Sequence, residues 1–131
     1  MDFNLEIGLL AKSEQIVQYK DTAKALGSGG AEVFATPRMI ALMENAAYTA
    51  VQPAMAQGQS TVGTAINAKH IAATPIGLKV WAVATLCEID RKKLTFTIEA
   101  YDETELIGTA VHERFIIDEE KFADKANKKA K

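Results

Sequence analysis

One segment of this sequence, residues 36–52, has the pattern of a helix that is apolar around almost its whole circumference. Thr36 and Pro37 are typical of a helix start, because a threonine hydroxyl can cap exposed amides and proline suits the first helical position. The pattern predicts a helix that ends near Pro53. A helix that is apolar on most sides is a buried one, so the rest of the chain must cover it. Its apolar residues are Met39, Ile40, Leu42, Met43, Ala46, Ala47, Ala50 and Val51.

Most of the remaining chain has strand patterns. An imperfectly alternating stretch, 7–17, precedes the helix, and four strand-like segments follow it, separated by short turns that are rich in Pro, Gly or charged residues. Short connections between strands predict an antiparallel sheet, with the apolar helix across its inner face. The predicted fold class is therefore α+β, a sheet wrapped around one long central helix. The four later strands are expected at 62–72, 78–89, 94–101 and 106–117.

The chain is expected to form a single domain, 1–131. Its 131 residues, 48% hydrophobic and 24% charged, match the size and composition of one compact domain. The glycine-rich stretch Gly27–Gly30 is short and flanked by parts of the same fold, so it indicates a mobile loop rather than a linker. Asp21 is expected to cap a helical turn that ends at Gly27. The tail, about 118–131, predicts a short solvated helix with early acids and late lysines.

The charge balance excludes several functional classes. Fifteen basic and seventeen acidic residues give a net charge of −2, whereas general nucleic-acid and anionic-membrane binders need a strong basic excess. No apolar run approaches the roughly 20 residues that span a bilayer, and the first eight residues lack the order of a secretory signal. Cys87, the single cysteine, has no basic neighbour and is expected to pack within a strand. We therefore expect a cytoplasmic protein with no nucleic-acid or membrane partner.

Two polar residues fall on surfaces that are predicted to be apolar. Glu44 lies in the middle of the apolar helix, where an unpartnered carboxylate is costly to bury; it has a functional role or lies on a narrow exposed stripe beside Asn45 and Tyr48. His70 is either a satisfied core residue or part of a site. If both face the same interface, they could form an acid–base unit. Unbroken alternation places His70 on one face with Val62, Thr64, Ile66, Ala68 and Ala72, and Gly63, Ala65, Asn67 and Lys69 on the other.

Other polar residues have simpler interpretations. Thr36 is interpreted first as a helix cap, and His112, on a mostly polar strand face, as a structural residue. Glu44 and His70 are too few to bind zinc, and neither an HExxH motif nor a Cys/His cluster adds ligands, so we expect no metal site.

Three segments together resemble a known enzyme family. VFATPRMIALMENAA, VGTAINAKHIAATPIGL and IGTAVHERFIID are similar to the hotdog-fold acyl-CoA thioesterases, and most similar to the fluoroacetyl-CoA thioesterase branch. The likeness covers roughly 33–122 and consists of a threonine before a helix, a glutamate eight residues on, then Gly-Thr-Ala and a histidine. It implies the hotdog fold and catalytic roles for Thr36, Glu44 and His70. It also implies that Gly63 lies beside the thioester, where a backbone amide can hold the carbonyl oxygen.

The segment before the helix departs from that branch. The fluoroacetyl enzyme carries phenylalanines there, whereas this chain has Ala25, Leu26 and the Gly27–Gly30 loop. We therefore expect thioester hydrolysis without selectivity for a fluorinated acyl group.

The resemblance predicts hydrolysis of a short-chain acyl-CoA to the free acid and CoA, with no cofactor besides the coenzyme A of the substrate. Glu44 would attack the thioester or activate water, His70 would manage protons and help the thiolate leave, and Thr36 would orient Glu44 or the acyl group. The alternative is a non-catalytic hotdog module that binds acyl-CoA as a sensor or carrier. A hotdog hydratase is a third option, but the sequence lacks the Asp/His pair that such enzymes use.

Further residues are predicted to bind the substrate. Thr64 follows Gly63 in the motif and is assigned to the same part of the site. The phosphates of CoA need cations at the mouth of a pocket. Arg38, Lys69 and Lys79 are the candidates, and the alternative for each is an ordinary surface charge.

Element geometry predicts that one straight strand and one helix do not complete this site. Gly63 and His70 are separated by about 23 Å along a strand at 3.3 Å per residue. Thr36 and Glu44 are separated by about 12 Å along a helix. A bend or a second chain must bring all four together. Because hotdog enzymes are dimers with sites at the interface, the resemblance implies a homodimer or a dimer-based oligomer in which Gly63 comes from the opposite protomer.

Overall fold

The structure, a computed structural model that describes residues 5–130, contains one five-stranded antiparallel sheet and one long helix. The predicted α+β class is confirmed. The ends of the predicted domain, 1–4 and 131, lie outside the described residues. The strands are β1 (Leu10–Ile16), β2 (Gln59–His70), β3 (Lys79–Asp90), β4 (Lys93–Asp102) and β5 (Leu106–Asp118). The helices are α1 (Ala23–Leu26), α2 (Thr36–Val51) and α3 (Glu119–Asn127), with 3-10 turns at Tyr19–Asp21 and Gln52–Ala54.

The strand order is β1-β3-β4-β5-β2, and every neighbouring pair is antiparallel. The four strands predicted after the helix are present, but β2 and β3 are not neighbours. The connection 71–78 crosses from one side of the sheet to the other, and β2 pairs with β5 instead. As a result β2 is an outer strand, and one of its edges has no strand partner among residues 5–130.

Helix α2 covers one face of the sheet with one of its own sides. Met39, Met43 and Ala46 on that side are fully buried. Gly108 on β5 permits the close approach, because a Cβ there would lie 2.5 Å from the Met39 sulfur and 2.8 Å from the backbone oxygen of Lys69. The helix is therefore less completely buried within one chain than its composition predicts. Its opposite side is an exposed stripe of Ala41, Asn45, Tyr48 and Thr49.

A β-bulge in β2 changes which residues face the helix. The register with β5 shifts between Gly63 and Ala65, and the Thr64 hydroxyl donates to the Glu113 carbonyl at 3.2 Å. One extra residue inverts the alternation of faces on its N-terminal side. The prediction that Gly63 lies on the face opposite His70 is therefore wrong, and both residues face the helix.

The segment before α2 is held by a different set of contacts than predicted. Thr22, not Asp21, caps α1, and its hydroxyl accepts a hydrogen bond from the Ala25 amide at 3.1 Å. The buried Asp21 accepts two hydrogen bonds from the Arg38 guanidinium, at 2.6 and 3.0 Å. Burial acts to raise the pKa of Asp21, but the Gln18 amide and Arg38 outweigh it and hold the pKa below its usual range.

Two further predictions have opposite outcomes. The tail forms α3 as expected, with exposed side chains and with Asp118 accepting a hydrogen bond from the Lys121 amide at 3.0 Å. The predicted packing of Cys87 is wrong, because β3 bulges between Leu86 and Glu88 and leaves the thiol exposed. In the described part of the chain, none of the helices is long and apolar enough to cross a membrane.

Candidate active site

Thr36 and His70 meet at the N-terminal end of α2. Ala35 occupies the N-cap position, and no side chain caps the helix. The prediction that Thr36 caps α2 is wrong, because Thr36 is already the first helical residue. Its hydroxyl lies 2.7 Å from Nδ1 of His70, the last residue of β2.

The second nitrogen of His70, Nε2, is buried and has no hydrogen-bond partner among the described residues. Burial lowers the pKa of His70, and the backbone of Ala72 acts in the opposite direction. The imidazole is therefore neutral at neutral pH. If the Thr36 hydroxyl donates to Nδ1, the ring proton lies on the buried Nε2.

A pocket of about 350 Å³ opens beside this pair. Its walls are α1 and the loop after it, the first turn of α2, and the segment that follows β2. Seven of its ten lining residues are apolar by type, while polar atoms make up nearly half of its exposed surface. It is lined by Ala23, Ser28, Val33, Phe34, Thr36, Pro37, His70, Ile71, Ala72 and Ala73.

Glu44 lies two turns farther along α2, over Gly63. A Cβ at Gly63 would lie 3.1 Å from Oε2 of Glu44, so the glycine leaves room for the carboxylate. Glu44 is half-buried at the margin of the exposed stripe, and none of the ion pairs within residues 5–130 includes it. A carboxylate without a protein partner is available to attack a carbonyl or to accept a proton.

His112 and Arg114 also lie next to Gly63, although the sequence did not mark them as site residues. The Cβ position of Gly63 would lie 3.2 Å from Cε1 of His112 and 3.5 Å from Nη1 of Arg114. Both residues are buried on the inner face of β5. Alternation along β5 places the two on one face, and this is the signal that could have found them.

The hydrogen bonds of His112 fix its tautomer. Nδ1 lies 2.8 Å from the Ala65 carbonyl, which only accepts, so Nδ1 carries the proton and Nε2 accepts from Nη1 of Arg114 at 3.2 Å. Burial lowers the pKa of His112, the Ala65 carbonyl opposes this effect, and Arg114 adds to it. His112 is therefore a neutral residue that holds a guanidinium in place.

Arg114 supplies a buried positive charge next to Glu44. Its Nε and Nη2 donate to the hydroxyl and the carbonyl of Thr61, at 2.8 and 2.9 Å, and its guanidinium lies 5.9 Å from the ring centre of Tyr48. Burial lowers the pKa of Arg114, whereas Glu44 and Tyr48 act to raise it. A guanidinium at this depth can stabilise the carboxylate or an oxyanion that forms beside it.

The other residues predicted to bind substrate lie outside these two clusters. Arg38 is bound to Asp21, and Lys79 lies 3.4 Å from a Glu14 carboxylate oxygen. Lys69 is exposed, and the ion pairs of the described residues do not include it. Within residues 5–130, no three His, Cys, Asp or Glu side chains are grouped so that they could hold a metal ion.

The predicted site residues therefore form two pairs. Thr36 is paired with His70, and the carboxylate of Glu44 lies next to Gly63. About 12 Å of helix separates Thr36 from Glu44. Because Gly63 and Glu44 of one chain are together, a second chain that supplies Gly63 also supplies a Glu44.

Comparison with known proteins places this geometry in a family. The model of the fluoroacetyl-CoA-specific thioesterases matches residues 17–120. The chain is 42% identical over 98 residues to a fluoroacetyl-CoA thioesterase of Streptantibioticus cattleyicolor, a match that covers 75% of this chain and 70% of that relative.

Solved structures agree with this assignment. The fluoroacetyl-CoA thioesterase FlK superposes with a TM-score of 0.89 and 34% identity, over 96% of this chain and 98% of that one. A thioesterase superfamily member from Thermus thermophilus gives a TM-score of 0.87 and 26% identity, over 94% and 91% of the two chains. The predicted resemblance is confirmed, and the chain belongs to the fluoroacetyl-CoA-specific thioesterase family, with the hotdog fold and the thioester hydrolase activity of that family.

Proposed function

We propose that this protein hydrolyses a short-chain acyl-CoA to the free acid and coenzyme A, as a homodimer with its sites between the subunits. The observation that carries the proposal is the carboxylate of Glu44, which has no ion-pair partner among the described residues and lies over Gly63 beside the buried charge of Arg114. A cytoplasmic location fits a chain whose single cysteine cannot form an internal disulfide.

The free edge of β2 supports the dimer. Directly opposed residues of antiparallel strands face the same side of a sheet. The bulge puts Gly63 and His70 on one side, so two β2 strands can pair around a two-fold axis near Ile66 and Asn67, with Gly63 of one chain alongside His70 of the other. Each site would then combine Thr36 and His70 with the partner's Glu44 and Gly63.

In such a site the roles divide between the two clusters. Glu44 adds to the thioester carbonyl carbon, or it takes a proton from a water molecule that adds there. The carbonyl oxygen becomes negative, and a backbone amide at Gly63 together with the guanidinium of Arg114 stabilises it. The carbon–sulfur bond then breaks, and the departing thiolate accepts a hydrogen bond from the Thr36–His70 pair. The thiolate takes its proton from Glu44 where Glu44 has activated water; where Glu44 has attacked directly, a water molecule hydrolyses the acyl–Glu44 anhydride to the free acid and supplies the proton. Thr36 orients the imidazole of His70 through their hydrogen bond.

A panel of acyl-CoA thioesters tests the proposal. We expect wild-type protein to hydrolyse at least one short-chain member, and Glu44→Ala to lower kcat by about 10²–10⁴-fold, since the variant lacks the acid–base or nucleophilic group. Glu88→Ala removes an exposed carboxylate from β3 and serves as the matched control, with unchanged kcat. Equal rates for wild type and Glu44→Ala on every thioester would contradict the proposal, and tight acyl-CoA binding without turnover would favour a binding module.

A further inference from the structure

The pocket beside Thr36 and His70 is larger than a two-carbon acyl group requires. Its volume is about 350 Å³. A protein cavity of about 150 Å³ is enough to hold benzene, which has six carbon atoms. An acetyl group would therefore leave most of the pocket to water.

The pocket is large because the loop that forms one of its walls has small residues. The loop Gly27–Gly30 contributes a single side chain, the hydroxymethyl group of Ser28, to the lining. The three glycines of the loop have no side chain, and a Cβ at Gly27 or Gly30 would meet no atom within 4 Å. No side chain of this loop extends across the pocket.

The remaining lining indicates the chemistry of the occupant. Val33, Ile71 and three alanines supply apolar surface, and Phe34, which is 1% exposed, also lines the pocket. Apart from the neutral His70, none of the lining side chains is ionisable. A carboxylate or ammonium group on the acyl chain would therefore lose hydration without a charged partner.

We propose that the acyl group of the substrate is an uncharged hydrocarbon of about four to six carbons, linear or branched, and that the small residues of the Gly27–Gly30 loop determine this size. This inference rests on the proposed acyl-CoA hydrolysis and specifies its substrate class. Burying one more methylene group contributes about 0.8 kcal/mol, which corresponds to about a fourfold rise in kcat/KM. Two additional methylenes, as in butyryl against acetyl, would give about a 15-fold rise.

The test compares acetyl-, butyryl-, isovaleryl-, hexanoyl-, decanoyl- and succinyl-CoA. We expect kcat/KM at least about tenfold higher for the four- to six-carbon hydrocarbon members than for acetyl-CoA, and lower values for decanoyl- and succinyl-CoA. Ser28→Phe fills the pocket from the loop and should lower the ratio of hexanoyl-CoA to acetyl-CoA hydrolysis by about tenfold or more. Gln57→Phe, at an exposed turn away from the pocket, is the control and should leave this ratio unchanged.

The outcomes separate this inference from the proposed function. Preference of the wild type for acetyl-CoA, or an unchanged ratio in Ser28→Phe, overturns the size assignment while acyl-CoA hydrolysis stands. Preference for succinyl-CoA overturns the uncharged class. Absence of turnover above Glu44→Ala on every thioester overturns both. If Ser28→Phe does not fold, Ala73→Leu fills the same space from the opposite wall, and its circular dichroism spectrum and selectivity ratio decide the question.

Discussion

The Thr36–His70 cluster and the Glu44–Arg114 cluster, both at helix α2, differ in charge and in access to a pocket. At the N-terminal end, Thr36 and His70 are hydrogen-bonded to each other beside an open pocket, and no charged residue is part of the cluster. Two turns farther on, Glu44 and Arg114 supply opposite charges, but the glycine beneath them provides no pocket wall. In the proposed function the first cluster binds the acyl group and donates a hydrogen bond to the leaving thiolate, and the second attacks and stabilises negative charge. On that proposal, neither cluster completes the site without the other.

The largest predicted difference is in the cost of removing each cluster. Glu44→Gln should lower kcat by about 10²–10⁴-fold, because the step that adds to the carbonyl needs this carboxylate. His70→Ala should cost less, about 10- to 100-fold, since a thiol with an ordinary pKa near 8.5 leaves readily as the thiolate. Steady-state kcat on one acyl-CoA measures both effects. A loss in His70→Ala as large as that in Glu44→Gln would show that protonation of the leaving group limits the rate.

A pair of glycine substitutions sharpens the comparison. Gly63→Ala brings a methyl group to 3.1 Å from a carboxylate oxygen at the end of a flexible side chain and to 3.2 Å from Cε1 of the buried His112. It should therefore lower kcat by about tenfold or more, with a smaller loss of Tm than Gly108→Ala causes. Gly108→Ala meets the backbone oxygen of Lys69 at 2.8 Å as well as Met39, and backbone does not yield easily. We expect it to lower the free energy of unfolding by about 1–3 kcal/mol.

Thermal unfolding and kinetics on both variants check this division. A large loss of Tm in Gly63→Ala with unchanged kcat would mean that Gly63 serves packing rather than the placement of Glu44.

The smallest predicted effect is the pH dependence of stability that His112 causes. Its pKa is lowered by burial from the ordinary 6.5, so below pH 6.5 the unfolded chain binds a proton that the folded chain does not. The contribution of neutral His112 to the free energy of unfolding is fully present above pH 6.5. It is lost as the pH falls from 6.5 toward the lowered pKa of His112 in the folded state. In His112→Gln, which keeps an acceptor for Arg114, Tm should decrease less between pH 7 and pH 5. An unchanged slope would assign the effect to other groups, of which His70 is the first to examine.

Much of the fold followed from local patterns. The apolar period of α2, the alternation of β4 and β5 and the glycine at the end of α1 all reflect interactions within a few residues, and the structure confirms them. The sequence also singled out Thr36, Glu44 and His70, because their spacing matches a motif of the resembling family. Their catalytic roles stay predictions.

The parts that were mispredicted depend on distant partners. The bulge at Thr64 is stabilised by the backbone of Glu113 on β5, and alternation along β2 alone gives no sign of it. Its effect is to turn Gly63 toward Glu44. Arg114 was missed for the same reason, since its hydrogen bonds are to Thr61, 53 residues earlier in the chain. Asp21 was predicted to be a helix cap because its sequence neighbours suit one, but its carboxylate pairs with Arg38, which lies on another helix.

The most direct test of the account is subunit complementation. His70→Ala and Glu44→Gln are each made, mixed in equal amounts and allowed to exchange subunits. If each site takes Thr36 and His70 from one chain and Glu44 and Gly63 from its partner, half of the dimers are mixed, and each mixed dimer has one intact site. We then expect the mixture to recover about a quarter of the wild-type kcat per site. If each site lies within one chain, no mixed dimer has an intact site, and activity that stays at the level of the separate variants would contradict the account.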